Sequence, residues 1–355
     1  MDLHSAGLST KQIFPGKRSA TFHSTVRCSA AVARPAVEKQ PPYWTGNSGV
    51  ISQAINIAIG NPALWSVMRL GARNAMISTA GRSGIPWKQT VAELQACHEL
   101  EDLRQQLTNA AFVYPEYAKR KFHAYDGGNL EWRAVWEIEP VTASLAVRIF
   151  KADKLQPQAA TAAFRQSFID GVMDFCSRHK VDVQRVLDAG CGAGESTRWL
   201  AASFPGAHVT GADISAHFLA LAELRRRQAD SSSAAASVRY VHASSESVPI
   251  EDGSLDLVAA SYLLHELPAS ATQEVLQEAH RMLRPGAVLA LIDGDPWSDV
   301  HQKMPLPLAT LMKSTEPYLD EYFSLDLEAA MRDAGFTSIK YLPVNYRHRL
   351  MIGRA

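Results

Sequence analysis

From residue 159 onward the apolar positions follow two alternating patterns. Short, nearly continuous apolar runs predict buried strands at Val186-Leu187-Asp188-Ala189, His208–Asp213, Val238–Val241, Leu255–Ala260 and Val288–Ile292. Helical spacing marks residues 197–203, 216–228 and 271–283 between them, and 231–236 is a small Ser/Ala loop. A further helix at 159–180, with Phe164, Phe168, Val172 and Phe175 near one face, should pack just before the first strand. Such alternation predicts an α/β fold with a doubly wound, mostly parallel sheet and right-handed crossovers. Its ligand crevice should open beyond the carboxyl ends of the strands.

The first half reads as helix. Val50, Ile51, Ile55, Ile57 and Ile59 precede Pro62, and Leu64, Trp65, Val67, Met68 and Leu70 follow it. No run approaches the roughly 18 apolar residues of a membrane span, although a helix lying on a membrane surface is compatible with the pattern. One helix is expected from Thr90 to Leu107, striped by Val91, Leu94, Leu100, Leu103 and Leu107. The stretch from Phe122 to Trp132 is different, because it collects aromatics, His123, Asp126 and two glycines where a plain linker needs none.

The turn after the first strand carries the chemistry. Asp188-Ala189-Gly190-Cys191-Gly192-Ala193-Gly194 places three glycines at alternate positions, where the backbone can pass close to a ligand. A dinucleotide turn would read G-x-G-x-x-G. Here the spacing is G-x-G-x-G, with a carboxylate two residues ahead. This stretch resembles the first motif of class I S-adenosylmethionine-dependent methyltransferases, of the type found in ubiquinone and menaquinone biosynthesis.

The resemblance implies a Rossmann-like, seven-stranded sheet with an N-terminal helical lid. It implies that Asp188, Gly190, Cys191, Gly192 and Gly194 meet the amino-acid end of the cofactor. Asp213, ending the second strand, would accept the ribose hydroxyls, and Ile214 would lie against adenine. Ser244, Ser245 and Glu246 follow the third strand; where the family often has Asp there, this chain has Ser244. His265, in Ser261-Tyr262-Leu263-Leu264-His265-Glu266, resembles the fourth motif, and it reads equally as a proton acceptor or as a buried histidine bonded to backbone. Asp293 is the other candidate base. Tyr125, Asn129 and Trp132 from the lid, with Trp297 and Tyr318 from an irregular aromatic insert, are the candidate substrate contacts.

Composition narrows the class. Thirty-six basic residues balance 36 acidic ones, and no basic face suggests a nucleic-acid partner. Cys28, Cys97, Cys176 and Cys191 have neither metal-ligand nor disulfide spacing, so no metal is expected and a reducing compartment fits. Residues 1–37 hold Lys11, Lys17, Arg18, Arg27 and Arg34 against a single acid, Asp2. That bias, with Val26-Arg27-Cys28-Ser29-Ala30, resembles a plastid transit peptide; a mitochondrial presequence is the runner-up.

Three regions are therefore expected: a disordered transit peptide (1–37), a helical extension and lid (38–158), and a methyltransferase domain (159–355). Lid, insert and the terminal Arg347-His348-Arg349 resemble a group of plant and algal plastid methyltransferases. The expected activity is methylation of a small apolar or phenolic metabolite in the plastid stroma. A non-catalytic protein that binds the cofactor or serves assembly, and an NAD(P)-dependent oxidoreductase, are the alternatives.

Overall fold

The apolar runs of the second half form β1 (Arg185–Ala189), β2 (His208–Asp213), β3 (Val238–His242), β4 (Leu255–Ser261) and β5 (Leu283–Gly294). β6 (Thr337–Pro343) and β7 (His348–Arg354) complete a seven-stranded sheet in the order β3-β2-β1-β4-β5-β7-β6. The first five strands run parallel, and β7 is antiparallel to both β5 and β6. The fold class expected from the sequence is therefore observed. The computed structural model describes residues 40–46, 50–123, 125–229 and 237–355; the expected transit peptide and the 231–236 loop lie outside these.

Alternate residues of the central strands enter two separate cores. Leu187, Ala189, Val258, Ala260, Leu289 and Leu291 pack with α9 (Ala269–Met282). Val186, Val209, Leu257, Ala259, Val288 and Ala290 pack with α6 (Pro157–Arg178) and α7 (Glu195–Ser203). Strands buried on both faces have no polar side to show, which is why they read as continuous apolar runs. Asp256 fixes their starts: its Oδ2 accepts the N–H groups of Gln184 and Arg185 at 2.9 and 2.8 Å, and its Oδ1 accepts from Arg284 at 2.5 Å. The order reverses between β1 and β4, placing the crevice above those two strands.

The N-terminal helices are α1 (Val50–Gly60), α2 (Pro62–Arg82), α3 (Trp87–Gln95), α4 (Glu99–Leu107) and α5 (Trp132–Ile149). The single helix expected over 90–107 is two. From Leu94 to Leu100 an ideal helix turns by about 600°, which puts the two leucines on different faces. A break at residues 96–98 returns both to one core, and α4 lands on α8 (Ala216–Gln228). Among the described residues, no helix is long and apolar enough to cross a membrane.

After β5 come α10 (Asp299–Gln302), α11 (Leu306–Thr315), α12 (Leu319–Ser324) and α13 (Leu327–Asp333). The segment just after Gln40 is anchored here. Fully buried Trp44 donates from Nε1 to the His301 carbonyl at 2.8 Å, and Tyr43 donates to the Met304 carbonyl at 2.8 Å. Lys313 donates to the Trp44 carbonyl at 3.3 Å and pairs with Asp320 at 2.6 Å.

Candidate active site

A cavity of about 1030 Å³ opens beyond the carboxyl ends of β1, β2 and β4, walled by the lid segment, α2, α5, α6 and α11. At one end lies the glycine turn. All three glycines have positive φ, but they do different things. Gly192 faces open space, and a side chain there would meet nothing within 4 Å. A methyl group on Gly190 would meet Leu263 at 2.7 Å, and one on Gly194 would run into the Tyr240 hydroxyl and Ala222. Gly192 is thus the glycine that leaves room for a ligand, while Gly194 lets α7 pack on β3.

The two strand-end carboxylates also divide. Asp213 lines the cavity, its Oδ2 accepting the Gly192 N–H at 2.8 Å and its Oδ1 the Ser215 N–H at 2.7 Å. Burial pushes its pKa up to about 6 despite those two donors. Asp188, by contrast, is 0% exposed and does not line the cavity. Its Oδ2 accepts the hydroxyls of Ser196 and Thr197 at 2.7 and 2.6 Å, and burial lifts its pKa to about 6 as well. Through Oδ2 the Asp188 carboxylate grips the first turn of α7, while its buried Oδ1 has no hydrogen-bond partner.

The other donor-end residues mostly fall where expected. Cys191, Ile214, Ser245 and Glu246 line the cavity. Ser244 does not; its hydroxyl donates to Glu246, which also accepts from Tyr117. His242 accepts the Asn109 N–H at Nδ1 (2.9 Å), so the ring's proton is on Nε2, donated to the Ile214 carbonyl at 2.8 Å. Arg165 was not singled out in the sequence. It lines the cavity beside Phe164 and Tyr262 and pairs with Glu195 at 3.0 Å, and its Nε is buried with no hydrogen-bond partner.

Beyond the end of β4, His265 and Asp293 form one unit rather than alternatives. His265 Nδ1 lies 2.8 Å from Asp293 Oδ1, and only His265 lines the cavity. The neighbouring Glu266 joins it, with His123, Asn129 and Glu316 from distant segments. His123 Nε2 is 3.3 Å from Glu266 Oε1 and 3.2 Å from Glu316 Oε1, and Asn129 Nδ2 donates to Glu266 Oε2 at 2.7 Å. Burial opposes charge on His265, but Asp293 and Glu316 outweigh it and hold the pKa near 10. Burial likewise opposes charge on His123, where Glu316 and Glu266 raise the pKa to about 9. Burial lifts Glu266 to about 7, against the two histidines. Nothing in the order of residues shows that His123, Glu266 and Glu316 meet.

The lid segment is fastened in place: the His123 N–H donates to the Thr315 carbonyl at 2.9 Å, and Ser215 Oγ donates to the Asn129 carbonyl at 2.7 Å. Of the five expected substrate contacts, Tyr125 and Asn129 line the cavity. Tyr125 is largely core, its hydroxyl donating to Glu137 at 2.9 Å. Trp132, Trp297 and Tyr318 do not line it. Trp132 stacks beside Trp136 and meets His217 edge-on. Trp297 lies under the buried Arg349 guanidinium at 4.7 Å, and Tyr318 packs against Tyr117 and Phe122. Trp297 and Tyr318 of the insert pack away from the cavity, and Leu308, Leu311, Met312 and Glu316 line it.

The fold and this crevice define a nucleoside-binding enzyme scaffold of the methyltransferase class. Residues 186–286 match a family model described as a methyltransferase domain. An uncharacterised methyltransferase of Synechocystis sp. is 34% identical over 157 residues, which cover 44% of this chain and 68% of that protein. A malonyl-[acyl-carrier protein] O-methyltransferase of Enterobacter lignolyticus is 41% identical over 106 residues, 30% of this chain but only 37% of the relative. A solved S-adenosylmethionine-dependent methyltransferase from Aquifex aeolicus covers 53% of this chain and 91% of its own, at 19% identity and a TM-score of 0.40. The chain belongs to the class I methyltransferase family, whose cofactor is S-adenosylmethionine.

Proposed function

We propose that this chain transfers a methyl group from S-adenosylmethionine to a small metabolite with an apolar body and an acidic hydroxyl, such as a phenol. The observation that carries the reading is the pairing of Gly192 with Asp213 on the cavity wall. Each Asp213 oxygen accepts one backbone N–H and keeps a lone pair, enough to receive two ribose hydroxyls. Gly192 leaves space beside it. Ile214 would lie against adenine, with Ser245 and Glu246 at its edge. Arg165, whose Nε lacks a partner, would take the donor's carboxylate.

Bound there, the cofactor would supply a sulfonium methyl group for in-line displacement, its thioether leaving without acid assistance. The chain's own residues align the acceptor, exclude water and handle the acceptor's proton. Met304, Leu308, Leu311 and Met312 on one side, with Met76 and Leu145 on another, would hold an apolar body. The titratable cluster at His123 and His265 marks where its hydroxyl would rest. The transit-peptide reading of residues 1–37 supports the plastid stroma as the place of reaction.

The test is incubation of purified protein with methyl-labelled S-adenosylmethionine and a panel of phenols and plastid extract. Label in an apolar phenolic product is expected. Tight binding of S-adenosylhomocysteine with no labelled product would replace this reading by that of a non-catalytic binding protein.

A further inference from the structure

The acceptor end of the cavity holds more ligating chemistry than methyl transfer to a phenol requires. We propose that His123, His265, Glu266 and Glu316 bind one divalent cation of the first transition row. The proposal deepens the reading of the acceptor end, and it rests on that reading for the ion's use but not for its binding.

Two arrangements carry it. First, both imidazoles have Nδ1 turned to an oxygen: His265 to Asp293 Oδ1 at 2.8 Å, and His123 to Asn129 Oδ1 at 3.3 Å. That leaves each Nε2 directed at the other groups, and such outer oxygens are what orient histidines as metal ligands. Second, the remaining spacing leaves the ligand atoms close enough to share an ion. Ligand atoms of His123, His265 and Glu266 all lie within 4.8 Å of one another. His123 Nε2 stands 3.3 Å from Glu266 Oε1 and 3.2 Å from Glu316 Oε1, close to the ~3 Å between neighbouring ligands bonded at ~2.1 Å. Glu316 Oε2 is buried, accepts no hydrogen bond, and lies 4.0 Å from His265 Nε2. That gap is too wide for a hydrogen bond, and it leaves a buried carboxylate oxygen free to turn toward an ion held by His123, His265 and Glu266.

The mixture of two imidazoles and two carboxylates favours manganese, iron, cobalt or zinc over magnesium and calcium, which prefer oxygen alone. All four side chains line the cavity. An acceptor oxygen could therefore complete the coordination, and its hydroxyl would release a proton to water more readily. His265 then serves as a ligand.

The experiment is titration of the full chain, freed of metal by a chelator, with Co2+, read by its visible ligand-field absorption. One saturable site is expected, with His123→Gln and Glu316→Gln each weakening it about tenfold or more. Absence of a saturable site in the unaltered protein overturns the proposal, as does a site insensitive to both substitutions. Calorimetry with S-adenosylhomocysteine on the same samples checks that the variants are folded. Nucleoside binding without Co2+ binding removes only the ion; Co2+ binding without nucleoside binding removes the methyl-transfer reading instead.

Discussion

Asp293 holds His265 at two points, ring Nδ1 at 2.8 Å from Oδ1 and backbone N–H donating to Oδ2 at 3.1 Å. β5 thereby fixes the ring at the end of β4, and Nε2 is the nitrogen left for the cavity. Asp293→Asn should lower methyl transfer about 10–100-fold while leaving S-adenosylhomocysteine affinity within about twofold. Steady-state rates and calorimetry on one preparation separate the two effects.

Asp213→Ala removes the acceptor of the Gly192 and Ser215 N–H groups as well as the expected ribose contact. Nucleoside affinity should weaken by about 1.5–3 kcal/mol. Unchanged affinity in calorimetry would separate Asp213 from the cofactor.

The same carboxyl sets a pH dependence. Its folded pKa of about 6 lies above the ordinary value near 3.9, so its contribution to stability is full below about pH 4 and lost as pH rises through 6. Ribose hydroxyls need the ionised form. Affinity should thus be level above pH 7 and fall as pH drops below 6, approaching about tenfold per unit. A series of titrations from pH 5 to pH 8 checks this, and Asp213→Asn should flatten the curve.

Gly192 and Gly194 should respond oppositely to alanine. At Gly194 the new methyl group meets the Tyr240 hydroxyl and Ala222, and the melting midpoint should drop, with about 1–3 kcal/mol of stability lost. At Gly192 it meets nothing, so stability should change by only about 1 kcal/mol, from the positive φ, while nucleoside binding suffers. Thermal denaturation with and without S-adenosylhomocysteine distinguishes the two.

Glu137, 2% exposed, joins Arg73 on α2 to the Tyr125 hydroxyl of the lid segment. Glu137→Ala strands both partners and should cost about 2 kcal/mol, the arginine's partial exposure tempering the loss. Denaturant unfolding measures it.

The sheet was legible because β1, β2 and β4 are buried on both faces, and β2 and β4 end in polar residues, Asp213 and Ser261, at the crevice. β7 was not read as a strand, since it opens His348-Arg349, and Arg349 is buried against the rings of Trp297 and Tyr322. The donor end was legible because Gly192 and Asp213 belong to a contiguous motif and a strand end. The acceptor end was not: His123, Glu266 and Glu316 come together only when the lid, β4 and α11 fold. Aromatic content does not distinguish a cavity wall from packing: the rings of Trp132, Trp297 and Tyr318 lie against Trp136, Arg349 and Tyr117.

One helix serves both the cavity and the start of the described chain: α11 presents Leu308, Leu311 and Met312 to the cavity while its Lys313 holds the Trp44 carbonyl. Expression design follows from this. A tag joined ahead of residue 40 leaves that anchorage whole, whereas trimming to residue 47 removes the indole and loosens the helix against which an acceptor would rest.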